Sequence, residues 1–205
     1  MNLDGVKDAR MKEILKNFLT CAEADSQIDL EAYYFSYKNL WSGLRDDLTA
    51  LMAASLYGAD DVARALLHYY ADFNTKNRQG WSALDYAAIG ANFDILNIMI
   101  DLGGDVNSKT GNYGSTPLMS AALYGHNTTV SKLIAKGADV NIIGTPVGYT
   151  ALMYAANNGN LGIIAELLDH GAYKSTRTLY GRTAEDVARM NGRHNVANFI
   201  RNYRG

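Results

Sequence analysis

The segment Tyr149-Thr150-Ala151-Leu152-Met153-Tyr154-Ala155-Ala156 decides the fold of this chain, because near-copies of it recur along the sequence. The copies repeat every 33 or 34 residues, and the hydroxyl residue that opens each of them lies at Thr49, Ser82, Thr116, Thr150 and Thr183. The last copy is degenerate. A fixed period in this range indicates repeats that pack on their neighbours, since one short unit cannot bury its own apolar face.

Each copy also carries the residues with which a helix begins and ends. A Thr or Ser before an apolar run caps a helix by accepting a backbone N–H bond, and Pro117 suits the first helical position. The paired alanines let two helices approach closely. The second helix of a repeat is predicted to end at a glycine in the left-handed conformation, at Gly103, Gly137 and Gly171.

The period and the Thr-x-Leu-x-x-Ala-Ala core resemble the ankyrin repeat. Tails such as Gly137-Ala138-Asp139-Val140-Asn141 extend the resemblance. It implies an all-α ankyrin-repeat solenoid of stacked helix-turn-helix units with β-hairpin fingers and a helical N-terminal cap. The histidine of the family's Thr-Pro-Leu-His motif is replaced in each repeat, and we expect weaker turns because its hydrogen bonds are lost. The residues at its position are Met52, Asp85, Met119, Met153 and Asp186.

The chain is predicted to contain an N-terminal cap and a repeat domain. Residues 1–44 show two apolar stripes at helical spacing and form the cap, with an independent partner-binding or dimerising hairpin as the alternative. The ankyrin domain is residues 45–205, with repeats at about 45–77, 78–110, 112–144, 146–177 and 179–203.

Nothing in the sequence predicts catalysis, a metal or a cofactor. The single Cys21 has no partner for a disulfide, and no nucleotide-binding loop or nucleophile motif is present. The histidines lie in separate repeats without ligand spacing, at His68, His126, His170 and His194. No apolar run has the length of a membrane span, so we expect a cytoplasmic monomer, with export as an effector left open.

The resemblance implies a protein partner on the concave face, formed by finger tips and the exposed side of each first helix. Tyr or Trp recurs there in every repeat, and these residues often anchor interfaces. As an alternative, Tyr86 and Tyr154 pack between neighbouring helices. The predicted partner-binding residues are Tyr57, Arg78, Trp81, Tyr86, Tyr113, Leu123, Tyr124, Tyr149, Tyr154, Asn157, Asn158 and Tyr180.

The predicted function is therefore a non-catalytic protein–protein interaction module, acting as an adaptor or scaffold, a bacterial effector, or an immunity-type inhibitor. The alternative is a nucleic-acid-associated or regulatory protein that uses its C-terminal end, because residues 173–205 contain seven basic and two acidic side chains. We expect this basic end to be mainly a solubilising cap, since a terminal repeat needs a polar outer face.

Removal of residues 1–44 tests the cap assignment. If the two stripes cover the first repeat, the truncated chain loses several kcal/mol of unfolding free energy, at about 25 cal/mol per Å² of apolar surface. Urea unfolding followed by circular dichroism measures the loss. An unchanged stability together with a monomeric truncated chain would show that the hairpin is an independent module.

Overall fold

A computed structural model describes residues 48–68 and 71–204, and the predicted N-terminal cap lies outside these residues. The chain divides into two compact units, Met1–Gly104 and Asp105–Gly205. The first unit contains helices α1 Ala50–Tyr57, α2 Asp60–His68, α3 Ala83–Ile89 and α4 Phe93–Asp101. The second contains α5 Pro117–Tyr124, α6 Asn127–Ala135, α7 Ala151–Asn158, α8 Leu161–Asp169, α9 Ala184–Met190 and α10 His194–Asn202.

The helices pair and stack as an ankyrin solenoid requires. Within the first unit α1 packs on α3 and α2 on α4; within the second, α5, α7 and α9 form one row and α6, α8 and α10 the other. The described residues contain no named strand. Each finger is a tight turn, and an isolated antiparallel bridge joins Thr110 to Ser115. This arrangement confirms the predicted all-α ankyrin solenoid.

The hydroxyl residues cap the first helices. Thr116 Oγ1 accepts from Met119 N at 3.3 Å, and Thr49, Thr150 and Thr183 make the same bond. The Ser82 hydroxyl donates to Asp85 Oδ2 at 2.7 Å, and Thr183 Oγ1 likewise donates to Asp186 Oδ2 at 2.8 Å. Asp85 and Asp186, two of the residues that replace the family histidine, accept from the backbone N–H of Ser82 and Thr183. In these two repeats a capping carboxylate therefore supplies hydrogen bonds to the turn.

The core lies between repeats and is built from small residues. The paired alanines are fully buried, at Ala53, Ala54, Ala87, Ala88, Ala121, Ala122, Ala155 and Ala156. The helices approach so closely that a Cβ added at Gly90 would lie 2.4 Å from the carbonyl oxygen of Leu56. Larger side chains such as Leu84, Leu118 and Leu152 fill the remaining space.

Asparagine side chains join successive repeats within each unit. In the tails, Asn107 Nδ2 donates to the Gly137 carbonyl at 3.3 Å while its Oδ1 accepts from Asp139 N at 2.8 Å. Asn141 repeats this pattern toward the next tail. At the second-helix caps, Asn160 Nδ2 donates to Asn127 Oδ1 at 2.8 Å. The side-chain hydrogen bonds of these asparagines therefore hold adjacent repeats together.

Substitution of Asp186 tests the carboxylate cap of α9. Hydrogen bonds from the backbone and hydroxyl of Thr183 hold the pKa of Asp186 below its ordinary value of 3.8. A lowered folded-state pKa stabilises the protein above that ordinary value, and the stabilisation is lost as the pH falls through the folded-state pKa. We expect Asp186→Asn to lower the unfolding free energy at about pH 7 and to match the wild type more closely at about pH 2.5. Urea unfolding at both pH values measures this difference, and a pH-independent difference would contradict the assignment.

Candidate partner-binding surface

Two aromatic residues of the second repeat form a pinned pair, that is, two packed rings whose positions are restricted by their neighbours. Trp81, at the end of the finger, packs on Tyr86 of α3 with ring centroids 6.0 Å apart. Asn77 Nδ2 donates to the Tyr86 hydroxyl at 3.0 Å, and Asn77 Oδ1 accepts from Trp81 N at 2.8 Å. Tyr86 is only 8% exposed. This burial favours the alternative in which Tyr86 packs within the stack, where it contacts Trp81, which is half-buried; a role of Tyr86 in partner binding stays a prediction.

The fourth repeat places an equivalent pair in the second unit. Tyr149 ends its finger and packs on Tyr154 of α7, with ring centroids 5.0 Å apart. Burial raises the pKa of the Tyr154 hydroxyl, a hydrogen bond with Ser115 opposes that change, and the nearby hydroxyls of Tyr149 and Tyr113 raise the pKa further. Three tyrosines from two adjacent repeats therefore form one cluster, in which Tyr113 is the most exposed.

Several other predicted side chains are exposed or half-buried. Tyr113 on a finger is 57% exposed, and Tyr180 on the last finger is 72% exposed. Tyr124, at the end of α5, is exposed and stacks on His126 with ring centroids 6.2 Å apart. Arg78 is exposed, while Tyr57 and Leu123 are half-buried. These positions offer apolar and aromatic surface next to polar groups, as interface centres do.

Asn157 and Asn158 accept or donate hydrogen bonds that link adjacent repeats. The Asn158 side-chain amide donates to the Leu123 carbonyl and so joins the ends of α7 and α5. The Asn157 carbonyl accepts from Arg193 Nε at 2.7 Å. Asn158 is exposed and Asn157 half-buried, so both border the surface while they hold adjacent repeats together.

Much of the basic C-terminal end is engaged within the chain. Glu185 binds both Arg189 and Arg201, and these two partners lower the pKa of its carboxyl. Arg193 donates to the Asn157 carbonyl, and Lys174 Nζ donates to the carbonyl of Tyr203 at 3.0 Å. These contacts favour a structural cap over a continuous phosphate-binding stripe.

Among the residues that the structure describes, no group of three or more His, Cys, Asp or Glu side chains could hold a metal ion. Within the same part of the chain, no helix is long and apolar enough to span a bilayer.

A family model described as ankyrin repeats (3 copies) matches residues 8–110, 51–144 and 118–205. The chain belongs to the ankyrin repeat family. The first match begins inside the segment that sequence analysis assigns to the N-terminal cap. Ankyrin repeats are generally protein–protein interaction modules, which fits a surface built from recurring aromatic residues.

Several curated proteins are similar to parts of this chain. Alpha-latrotoxin-Lg1a of Latrodectus geometricus is 35% identical over 88 residues, which cover 42% of this chain and 6% of the toxin. Tyrosine-protein kinase Shark of Drosophila melanogaster is 34% identical over 110 residues, covering 54% of this chain and 12% of the kinase. Protein fem-1 homolog A-like of Mus musculus is 31% identical over 86 residues, covering 42% of this chain and 13% of that protein. The chain thus matches only a small part of each relative.

The predicted set omits some residues that shape the surface. Asn77 is buried and orders the second finger, yet a lone asparagine next to a turn gives no distinctive signal. Leu179 on the last finger and Met190 at the end of α9 are 74% and 60% exposed. Both occupy repeat positions equivalent to those of the predicted aromatic residues, so the repeat register together with their apolar character is a signal for them.

Alanine substitutions separate supporting from surface tyrosines. We expect Tyr86→Ala to lower the unfolding free energy by about 3 kcal/mol because it leaves a cavity. Tyr86→Phe should cost about 1 kcal/mol through loss of the Asn77 bond. Tyr113→Ala should stay within about 0.5 kcal/mol of the wild type because this side chain is exposed. Urea unfolding of the three variants checks the order, and equal losses for Tyr86→Ala and Tyr113→Ala would contradict it.

Proposed function

We propose that this chain is a non-catalytic protein-binding module that holds its partner on the surface formed by finger turns and first helices. The observation that carries the proposal is the repeated pinned pair, in which Trp81 rests on Tyr86 and Tyr149 rests on Tyr154. A ring that is already ordered loses little conformational entropy on binding, so it can contribute most of its contact energy to affinity.

The surroundings of the pairs support the same proposal. Tyr113 and Tyr180 add exposed phenol rings on fingers of the second unit, and Tyr124 adds one at the end of a first helix. Tyr, Trp and Arg are enriched among residues that dominate protein interfaces. The hydrogen-bonded finger turns fix the backbone beneath these side chains, as in Asn77 N donating to the Trp81 carbonyl at 2.9 Å.

The biological role follows from the identity of the partner. An adaptor or scaffold, an exported effector and an immunity-type inhibitor would all use this surface, but they would bind different classes of protein. Affinity capture from the native organism followed by mass spectrometry identifies the partner, and a captured toxin would favour the inhibitor role. We further propose that the protein acts in the cytoplasm, where such a module meets other proteins.

Three substitutions on fingers of the two units test the proposed surface once a partner is in hand. We expect Trp81→Ala, Tyr113→Ala and Tyr149→Ala each to weaken binding, with the largest effects about 2 kcal/mol. Titration calorimetry measures the affinities. Because Trp81 and Tyr149 are half-buried, thermal unfolding of each variant accompanies the titration, and Tyr113→Ala gives the clearest comparison.

The matched controls lie on the second helices. Arg64→Ala, Asn97→Ala and Lys132→Ala change side chains of α2, α4 and α6, on the other row of each unit. They should leave the affinity within about 0.5 kcal/mol of the wild type. If the second-helix variants lose binding while the finger variants bind fully, the partner binds the second-helix face and the proposal is wrong.

A further inference from the structure

The last finger presents the most exposed apolar side chains of the second unit. Leu179 and Tyr180 lie at its tip, exposed by 74% and 72%. Met190, which is 60% exposed at the end of α9, contacts the same finger through Arg182, whose Nη1 lies 2.7 Å from the Met190 Sδ. Clustered exposed apolar residues on a folded surface mark interaction sites more often than isolated ones.

The finger that carries these side chains is rigidly held. Thr178 N donates to the Arg182 carbonyl at 2.9 Å, and Gly181 N donates to the Thr178 carbonyl at 2.8 Å. Leu179 N donates to the Val147 carbonyl at 2.8 Å, which fastens this finger to the preceding one. The backbone of the tip is therefore ordered before any partner arrives, so docking costs conformational entropy mainly at the exposed side chains.

Two guanidinium groups flank the apolar tip. Arg177 Nη1 donates to the Gly181 carbonyl at 2.7 Å, and Arg182 contacts the Met190 thioether. Both acceptors are uncharged, whereas Arg189 and Arg201 share the carboxylate of Glu185. The carboxylate of Asp186 lies near both flanking arginines but accepts from the backbone and hydroxyl of Thr183. Arg177 and Arg182 thus retain donors for an incoming anion.

We propose that this C-terminal patch, made of Arg177, Leu179, Tyr180, Arg182 and Met190, binds an acidic protein segment that carries an apolar or aromatic side chain. The inference rests on the proposed function and specifies the chemistry of the partner. Guanidinium groups pair with carboxylates through two parallel hydrogen bonds, and the apolar tip receives the hydrophobic side chain.

A nucleic acid fits the patch less well. Single-strand binding uses successive aromatic platforms along a basic groove, and here Tyr180 is accompanied by the aliphatic Leu179 and Met190. Arg189 and Arg201, which would extend a phosphate-binding stripe, are already paired with Glu185. A leucine and a methionine flanked by arginines instead suit a peptide that combines leucine or phenylalanine with aspartate or glutamate.

Selection from a random displayed-peptide library tests this chemistry with the full chain as bait. We expect enriched peptides to combine Asp or Glu with Leu, Phe or Trp. One enriched peptide is then synthesised with a fluorescent label, and its affinity is measured by anisotropy at two salt concentrations. Affinity should fall with salt because the contacts include exposed ion pairs.

Charge reversal provides the decisive comparison. Arg177→Glu/Arg182→Glu should weaken the labelled peptide at least about tenfold, and Leu179→Ala/Tyr180→Ala should do the same. Arg64→Glu/Lys132→Glu carries the same change of net charge on the second helices and should alter affinity by less than about threefold. Circular dichroism confirms that all variants are folded.

Three outcomes would overturn the proposal: no enrichment of peptides, enrichment of neutral or basic peptides, or unchanged binding of the charge-reversed patch variant. Submicromolar binding of a mixed single-stranded oligonucleotide that the patch variant abolishes would assign the patch to nucleic acid instead. A different result would contradict the proposed function: a captured partner whose affinity is unchanged by Tyr113→Ala and by the other finger substitutions. If the captured partner needs Tyr113 while the peptides lack acidic residues, only the chemistry inferred for the C-terminal patch is wrong.

Discussion

The burial of paired alanines between neighbouring first helices is the contact on which the rest of this structure depends. Helices of seven to nine residues, such as α3 and α4, are too short to be stable in isolation. They persist because residues such as Ala87 and Ala88 are fully buried where the helices pack. Small side chains let the backbones approach closely, so each finger is positioned by the stack behind it. The spacing of the packed helices therefore determines where the finger side chains lie on the surface.

Within each unit, the polar residues of the repeat fix the backbone and leave other positions free to vary in chemistry. Threonines cap the first helices, and Asn107 and Asn141 tie one tail to the next. These bonds involve the same positions in successive repeats. The residues at the ends of the fingers, by contrast, are Trp81, Ser115, Tyr149 and Arg182. Such a division lets one scaffold present different side chains at equivalent points.

The sequence predicted the fold of the described residues, but it predicted the exposure of the candidate surface side chains only in part. The repeat period, the capping threonines and glycines such as Gly137 are local signals, and the helices begin and end where these residues require. Exposure is a property of the packed stack, which local signals do not contain. Hence Tyr86 and Tyr113, both predicted to lie on the surface, differ sharply: the first is buried beneath Trp81 and the second is open to solvent. The hydrogen bond of Asn77 to Tyr86 could not be foreseen, because it joins a finger to a helix nine residues later.

The difference between the packed and the exposed aromatic residues also bears on how the proposed binding surface would discriminate between partners. Trp81 and Tyr149 each pack on a tyrosine, and this contact restricts the orientation of both rings before a partner binds. Tyr180 stands on a finger tip with little around it and can adjust to the partner. Rigid rings require a partner of complementary shape, whereas adjustable rings add contact area but lose conformational entropy on binding. Selectivity should therefore reside mainly at the pinned pairs, and variation of the exposed tyrosines should change affinity more uniformly across partners.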